Sequence, residues 1–277
     1  MILYVSDLDG TLLNSNQELS SATTTIINDL LKNGMNFSIA TARSLDSAGR
    51  IIEPLHLKLP IILHNGVFVY DPIKKENILS NYMDIDTVYD VLEICKKTGV
   101  SPLLYTKNEN LESRIYYKRI AHYGEADYIQ DRLKKGDKRF RLIDDFSLCM
   151  KEKIITIVMI EERQSIESVY AAIRNFNIHC HYTVDIYSKA NWLEVTHKQA
   201  NKCEAVKYIK KLVSADRIVC FGDNLNDSPM FEVADEKYAV RNAHDLLKNI
   251  ATCVIDSNNA DGVAKYLKTV YNRVSNA

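Results

Sequence analysis

The sequence has 277 residues, of which 46% are hydrophobic and 26% are charged. This composition is typical of one large folded domain or two smaller ones and excludes a disordered chain. The 35 basic and 36 acidic side chains give a net charge of -1, so no basic excess favours binding to nucleic acid or to a membrane surface. Catalysis on a small molecule is left open.

The N-terminal segment and the cysteines favour a cytoplasmic protein. Residues 1–7 lack the cationic region and the long apolar stretch of a secretory signal. No apolar run reaches the roughly 18 residues that suggest a membrane span. The six cysteines are scattered without a C-x-x-C pair, and several have apolar neighbours, as expected of reduced core thiols. No pattern indicates oligomerisation, and we take a monomer as the default.

The first eighty residues alternate strand-like runs with helical patterns. Residues 2–6 form an apolar run rich in β-forming residues, and the helix that follows can be capped by Ser20 or Ser21 and stops at Asn33-Gly34. The next predicted elements are a strand at 37–40, a helix near 44–52 and a strand at 60–63. This order is typical of βαβ units and predicts a parallel sheet.

The last third of the chain repeats this alternation. Its predicted elements are a helix near 202–213, a strand at 217–221, a short helix around 229–234, a strand at 238–240, a helix near 244–250, a strand at 253–255 and a helix near 261–271. We therefore expect an α/β core with a parallel sheet, formed by residues 1–82 and 191–277 together.

The middle of the chain, residues 83–190, has a different pattern. Its predicted elements are helices at 87–97 and 118–133 and strands at 103–106, 113–117, 154–160 and 181–187. They predict an α+β unit with an antiparallel sheet, inserted into the parallel core. The joints near 82–86 and 188–191 are hinge candidates.

Polar residues follow three of the predicted core strands directly. Asp7 follows the first strand, Thr41 the second, and Asp223 the strand that begins at Arg217. Ligands of open parallel sheets bind outside the carboxyl ends of the strands. One edge of the sheet would then hold Asp7, Asp9, Thr41, Asp223, Asn226 and Asp227.

Four carboxylates at one edge repel one another. Two like charges about 4 Å apart cost roughly 4 kcal/mol at an effective dielectric near 20. A bound divalent cation removes this cost, and ligands that are all oxygen, without His or Cys nearby, favour Mg²⁺. The acidic cluster therefore predicts a magnesium site.

Each of these fragments alone is a weak signal, since Asp-Gly is a common turn dipeptide, but their order along the chain is specific. The segment 7–13, DLDGTLL, resembles the first signature of the haloacid dehalogenase superfamily of aspartyl phosphotransferases. Thr41-Ala42-Arg43 resembles its second motif, Lys202 its third and the segment 222–227, GDNLND, its fourth. The insert, Asn65-Gly66 and the segment 261–264, DGVA, are similar to the Cof-like subfamily, which implies a Rossmann-like core with an inserted α/β cap.

The resemblance implies a role for each candidate site residue. Asp7 would be the nucleophile, and Asp9 would protonate the leaving alkoxide and later activate water. Mg²⁺ would be held by the Asp7 carboxylate, the Asp9 backbone carbonyl and Asp223, with Asp227 in support. The phosphoryl oxygens would be held by the backbone amides of Leu8 and Ala42, the Thr41 hydroxyl, Lys202 and Asn226. Gly10 would let the chain turn so that both carboxylates face one phosphate.

The function implied is that of a Mg²⁺-dependent phosphatase that hydrolyses small phosphorylated metabolites, either sugar phosphates or cofactor phosphates, through an aspartyl-phosphate. A phosphomutase-like phosphotransferase remains open on the same scaffold. So does a sensor that is phosphorylated on Asp7 without turnover, although the presence of the acid/base Asp9 argues against it. The cap would contact the leaving group and close over the site as a hinged lid.

Four points of the pattern leave alternatives. Ala42 stands where the family usually has glycine, and Lys198 is a rival to Lys202 for the third motif. Arg43 can either pair with a carboxylate or touch the leaving group. His179 and His181 could suggest a soft-metal site, but we interpret them as part of an ordinary strand because further ligands are not evident.

Overall fold

The computed structural model describes residues 1–118, 120, 123–184 and 190–275. The chain forms two compact units, one of Met1–Ser80 with Ala200–Ala277 and one of Asn81–Gln199. The second unit extends beyond the predicted insert of residues 83–190 at both ends. Among the described residues, no helix combines the length and the hydropathy that a bilayer crossing requires.

The regular elements over the described residues are numbered here in chain order. The strands are β1 (Ile2–Ser6), β2 (Asn36–Ile39), β3 (Ile61–Leu63), β4 (Phe68–Asp71), β5 (Glu76–Ser80), β6 (Leu103–Lys107), β7 (Ser113–Tyr117), β8 (Phe140–Leu142), β9 (Lys153–Glu161), β10 (Ile178–Val184), β11 (Asn191–His197), β12 (Arg217–Gly222), β13 (Glu236–Val240) and β14 (Cys253–Ile255). The α-helices are α1 (Ser21–Lys32), α2 (Leu45–Ile52), α3 (Ile85–Thr98), α4 (Tyr123–Lys134), α5 (Arg163–Ile173), α6 (Lys202–Leu212), α7 (Ser228–Val233), α8 (Asp245–Ile250) and α9 (Gly262–Ser275).

The first unit is built on a five-stranded sheet in the order β14-β13-β12-β1-β2. Every neighbouring pair in it is parallel, which confirms the predicted sheet. Strand β1 lies between β12 and β2, and all of its residues but Ile2 are buried, as expected of an inner strand when helices cover both faces of a parallel sheet. Ser6 pairs in register with Phe221, so the carboxyl ends of β1 and β12 lie side by side. This register brings together the loops that begin with Asp7 and Asp223.

Strand β3 differs from the prediction. The run at 60–63 was expected to continue the parallel sheet, but β3 pairs antiparallel with β4, and β4 with β5, in a separate three-stranded sheet. A single parallel bridge between Ala40 and Ile62 links it to the end of β2. Three successive residues, His64, Asn65 and Gly66, have positive φ angles of 48°, 52° and 110°. This turn reverses the chain, so β3 and β4 form a hairpin.

The second unit contains a six-stranded sheet in the order β10-β11-β9-β6-β7-β8. Its neighbours are antiparallel, as predicted, except for the parallel pair β7–β8. The prediction missed β8, α5 and β11. The part of the predicted strand 181–187 beyond Val184, and the hinge candidates at 188 and 189, lie outside the described residues.

Both faces of this second sheet carry apolar clusters. Leu104 and Ile157 pack with α3 and α5 in one cluster, whereas their neighbours Leu103 and Val158 pack with Ile129 of α4 in the other. Strand β9 is therefore buried along nearly its whole length. Burial on both faces explains why β9 appears in the sequence as a continuous apolar run without alternation.

Candidate active site

Three carboxylates converge at the carboxyl edge of the parallel sheet. Asp7 follows β1, Asp223 follows β12, and Asp227 ends the short 3-10 helix Leu225–Asp227. Each offers one oxygen, and these oxygens all lie within 4.8 Å of one another. Asp7 is 4% exposed and Asp227 is fully buried. The register of β1 on β12 thus gathers residues more than 200 positions apart in the chain.

Lys202 is the cation of this cluster. It is the first residue of α6, where the Asn201 side chain caps the helix by accepting a hydrogen bond from the Glu204 amide (2.9 Å). Its Nζ lies 2.5 Å from Oδ1 of Asp7 and 2.6 Å from Oδ1 of Asp227, and the residue is 1% exposed. The rival Lys198 is an exposed residue of the other unit. Of the two lysines, Lys202 is the one that contacts the predicted nucleophile.

The cluster holds more acidic than basic groups. When all three carboxylates are ionised, they and one ammonium leave two negative charges in a largely buried volume. Burial and repulsion from Asp227 raise the pKa of Asp7, and the same two causes raise the pKa of Asp223 to about 7. Burial alone would lower the pKa of Lys202, but attraction to Asp227 and Asp7 raises it. The residues fit a divalent cation with oxygen ligands, such as Mg²⁺.

Glycines allow the surrounding loops to approach the carboxylates. Gly10 has a φ of +75°, and a Cβ on it would lie 2.5 Å from Oδ2 of Asp223. A Cβ on Gly222 would lie 2.7 Å from Cβ of Asp227. The Thr11 hydroxyl next to Gly10 donates to Oδ1 of Asp223 (2.9 Å). The DLDGTLL loop is therefore packed directly against the acidic residue of the last motif.

Asp9 lies apart from the acidic cluster and pairs with Arg43. The Nε of Arg43 donates to one Asp9 carboxylate oxygen (2.7 Å) and its Nη2 to the other (2.5 Å). Nη2 also donates to Oε1 of Gln17 (2.9 Å). The hydrogen bond to Asp9 raises the pKa of Arg43. Of the two alternatives for Arg43, the structure shows the pairing with a carboxylate.

The predicted phosphate-binding residues follow neighbouring strands of the parallel sheet. Leu8 follows β1, and Thr41 and Ala42 follow β2; Thr41 is buried, and its hydroxyl accepts from the Arg43 amide (3.1 Å). Asn226 lies half-buried in the 3-10 helix that ends at Asp227. The adjacent order β12-β1-β2 places these loops at the same sheet edge as the acidic cluster.

Sequence reasoning missed several supporting contacts. The Asn65-Gly66 turn lies against the start of α6, since a Cβ on Gly66 would collide with the Asn201 backbone. This contact next to Lys202 depends on tertiary packing, which no local sequence pattern reveals. Thr11, by contrast, lies in the first motif, and its hydroxyl group could have indicated a hydrogen-bond donor to a site carboxylate. His179 and His181 form an ordinary strand, and among the described residues they join no group of three potential metal ligands.

Comparison with known proteins agrees with this geometry. The family described as haloacid dehalogenase-like hydrolase matches residues 4–267. The chain belongs to the haloacid dehalogenase-like hydrolases. It is similar to 5-amino-6-(5-phospho-D-ribitylamino)uracil phosphatase YitU of Bacillus subtilis, with 28% identity over 97% of each chain. It is also similar to a putative phosphatase of Buchnera aphidicola subsp. Baizongia pistaciae, with 27% identity over 97% of this chain and 98% of the relative.

A solved structure has the same fold. The haloacid dehalogenase-like hydrolase of Bacteroides thetaiotaomicron matches with a TM-score of 0.78 at 21% identity, covering 97% of this chain and 98% of that one. The fold is therefore that of a parallel-sheet core with a separate α+β unit, as the sequence predicted. As a member of this family, the protein is an enzyme, a hydrolase.

The close approach of Gly10 in this haloacid dehalogenase-like hydrolase generates a stability prediction. We expect Gly10→Ala to lower the free energy of unfolding more than Gly99→Ala, the matched control. The two glycines have nearly the same φ, +75° and +74°, but nothing lies within 4 Å of a Cβ on Gly99. Backbone strain costs roughly 1 kcal/mol in both, and the collision with Asp223 adds to it only at Gly10. Equal losses in urea titrations would contradict the close packing.

The carboxylate repulsion generates a second prediction, about pH. The folded-state pKa of Asp223 is raised from 3.8 to about 7, so without metal its ionisation destabilises the fold progressively as pH rises through this window. Asp223→Asn removes this penalty. In EDTA at pH 8 we expect the variant to be more stable than the wild type by roughly 1 to 3 kcal/mol, and less so at pH 5. Urea unfolding at both pH values measures this; a variant less stable than the wild type at pH 8 contradicts it.

Proposed function

We propose that this hydrolase is a phosphatase that removes phosphate from small phosphorylated metabolites through an aspartyl-phosphate on Asp7, with Mg²⁺ as cofactor. The observation that carries the proposal is the contact of Lys202 with Asp7 inside a largely buried cluster that holds three carboxylates and one ammonium. Such a cluster suits a cation and a phosphoryl group, because the cation offsets the carboxylates and the lysine attracts phosphoryl oxygens.

The chemistry proposed for Asp7 and Asp9 proceeds in two displacements. The structure shows Asp9 ionised and paired with Arg43, so to act as an acid it must leave this pairing and take up a proton from solvent. An Asp7 oxygen then attacks phosphorus, the bond from phosphorus to the leaving oxygen breaks, and protonated Asp9 gives its proton to that oxygen. Asp9 then takes a proton from water, the water oxygen attacks phosphorus, and the bond to Asp7 breaks to release phosphate. Asp9 is suited to this role because it is two residues from Asp7 and its side chain is 45% exposed, within reach of a bound substrate and water.

The remaining site residues would hold the phosphoryl group. The proposed donors are Lys202 at the start of α6, Asn226 in the 3-10 helix after β12, the Thr41 hydroxyl, and the backbone amides of Leu8 and Ala42 in the loops after β1 and β2. When bound, Mg²⁺ would be held by the Asp7 carboxylate, the Asp9 carbonyl and Asp223, with Asp227 in support, and would neutralise charge on a phosphoryl oxygen. Preorganised donors of this kind are needed because uncatalysed hydrolysis of phosphate monoesters is extremely slow.

The name of one relative and the presence of the second unit support the proposed substrate class. One relative is named as a phosphatase of a phosphorylated ribitylaminouracil, a small metabolite. We assign catalysis to the parallel-sheet unit and selection of the leaving group to the insert of residues 83–190. The six free cysteines suit a reducing compartment, and we place the enzyme in the cytoplasm.

The proposal predicts the effect of removing each carboxylate. We expect Asp7→Asn to lower Mg²⁺-dependent hydrolysis of p-nitrophenyl phosphate by more than about 1,000-fold, because the nucleophile is lost. Asp9→Asn should lower it by roughly 100-fold or more, since general acid–base catalysis contributes about that much. Asp29→Asn, at an exposed position on α1, is the matched control and should keep wild-type activity. Full activity of Asp7→Asn would end the proposal.

The covalent intermediate has its own test. In Asp9→Asn the second displacement lacks its base, whereas the first can still proceed with p-nitrophenyl phosphate, because p-nitrophenolate leaves without a proton. Phosphate from this labelled substrate should therefore remain on the protein after acid quenching and be released by hydroxylamine. The label should map to the peptide that contains Asp7. No label in this variant, combined with hydrolysis by the wild type, would point to direct attack of water and contradict the intermediate.

A further inference from the structure

The turn between β13 and α8 touches both loops of the acidic site. Nδ2 of Asn242 donates a hydrogen bond to the carbonyl of Gly10 (2.7 Å). Two residues later, the backbone amide of His244 donates to the carbonyl of Asp223 (2.7 Å). One short segment after β13 thus contacts two loops that follow other strands, the loop after β1 and the loop after β12.

The Asn242 side chain uses both of its polar atoms. While Nδ2 binds Gly10, Oδ1 accepts a hydrogen bond from the backbone amide of Asn258 (3.0 Å). The side chain of Asn258 is buried and donates to the carbonyl of Leu13, three residues beyond Gly10 (2.9 Å). The two asparagines therefore fix the DLDGTLL loop at two carbonyls.

We propose that Asn242 is a positioning residue, which acts through the Gly10–Thr11 peptide to hold the Asp223 carboxylate in place for its cation. The Gly10 carbonyl belongs to the same peptide as the Thr11 amide, and the Thr11 hydroxyl donates to Oδ1 of Asp223 (2.9 Å). The backbone of Gly10 also lies against Oδ2 of that carboxylate. Fixing this peptide therefore fixes the surroundings of both Asp223 oxygens. The inference rests on the proposed function for its catalytic consequence only.

The geometry distinguishes this role from general support of the loop. Asn259 also ties the loop down, because its side chain accepts from the Ser15 amide (2.9 Å) and donates to the Ser15 hydroxyl (2.8 Å). Ser15, however, is four residues past Thr11, on an exposed part of the loop. Asn259→Ala removes two hydrogen bonds of the same kind without touching the peptide beside Asp223, so it is the matched control.

The test compares Asn242→Ala, Asn242→Asp and Asn259→Ala in the full chain. Asn242→Asp keeps an oxygen that can accept from the Asn258 amide but has no N–H to donate to the Gly10 carbonyl. It therefore tests the donor alone, and it serves as the second variant should Asn242→Ala fold poorly. The first readout is the rise in unfolding temperature with Mg²⁺ concentration in the absence of substrate, which reports the affinity for the ion. The second is kcat/KM for p-nitrophenyl phosphate at saturating Mg²⁺.

We expect both Asn242 variants to need on the order of 5- to 10-fold more Mg²⁺ for the same stabilisation and to lose kcat/KM by a similar factor, as for one lost hydrogen bond. Asn259→Ala should stay within about twofold of the wild type in both readouts. Asn242 variants that keep the wild-type Mg²⁺ response, or three variants that weaken it equally, would overturn the inference. A wild type without phosphatase activity would refute the proposed function, and the Mg²⁺ titration would still decide the role of Asn242.

Discussion

The buried acidic cluster is the constraint around which the first unit is organised. Asp7, Asp223 and Asp227 place three carboxylates within 4.8 Å, and Lys202 neutralises one charge. Two like charges about 4 Å apart cost roughly 4 kcal/mol even in a fairly polarisable interior. Such an arrangement is stable only when the surrounding elements hold the carboxylates in place. It is useful in an enzyme because the carboxylates attract a cation, and the cation and the lysine attract a phosphoryl group.

Several layers of structure enforce the cluster. The parallel register of β1 on β12 aligns the two strand ends, and the cap at Asn201 begins α6 so that Lys202 lies among the carboxylates. Gly10 and Gly222 leave no side chain where Asp223 and Asp227 approach the backbone. The acidic residues, the glycines and the lysine therefore depend on one another. The charges determine the chemistry of the site, and the surrounding packing offsets the destabilisation that their repulsion causes.

The fold and the site could be predicted from the sequence where a local signal agrees with the topology of the sheet. Capping at Ser20, the run of β1 and the polar residue after each core strand predicted the parallel sheet and its functional edge. The antiparallel pairing of β3, β4 and β5 was not predicted, because Asn65-Gly66 signals a turn but not the partner of the strand before it, and the positive φ of His64 has no signal in the sequence. Helix α5 and strand β11 were missed although their patterns are regular: Ile166, Val169 and Ile173 recur at helical spacing, and the first five residues of β11 alternate between buried and half-buried. The pairing of Asp9 with Arg43 and the contact of Asn242 with Gly10 are long-range, and no spacing rule reveals them.

We expect the cluster to bind a divalent cation between Asp7 and Asp223. Crystals soaked in Mn²⁺, an ion that takes oxygen ligands as Mg²⁺ does, would test it through anomalous scattering. We expect one strong peak about 2.2 Å from a carboxylate oxygen of each of these two residues, with Lys202 still beside Asp7. No peak at the cluster at millimolar Mn²⁺, or a peak bound only by exposed carboxylates elsewhere, would contradict it.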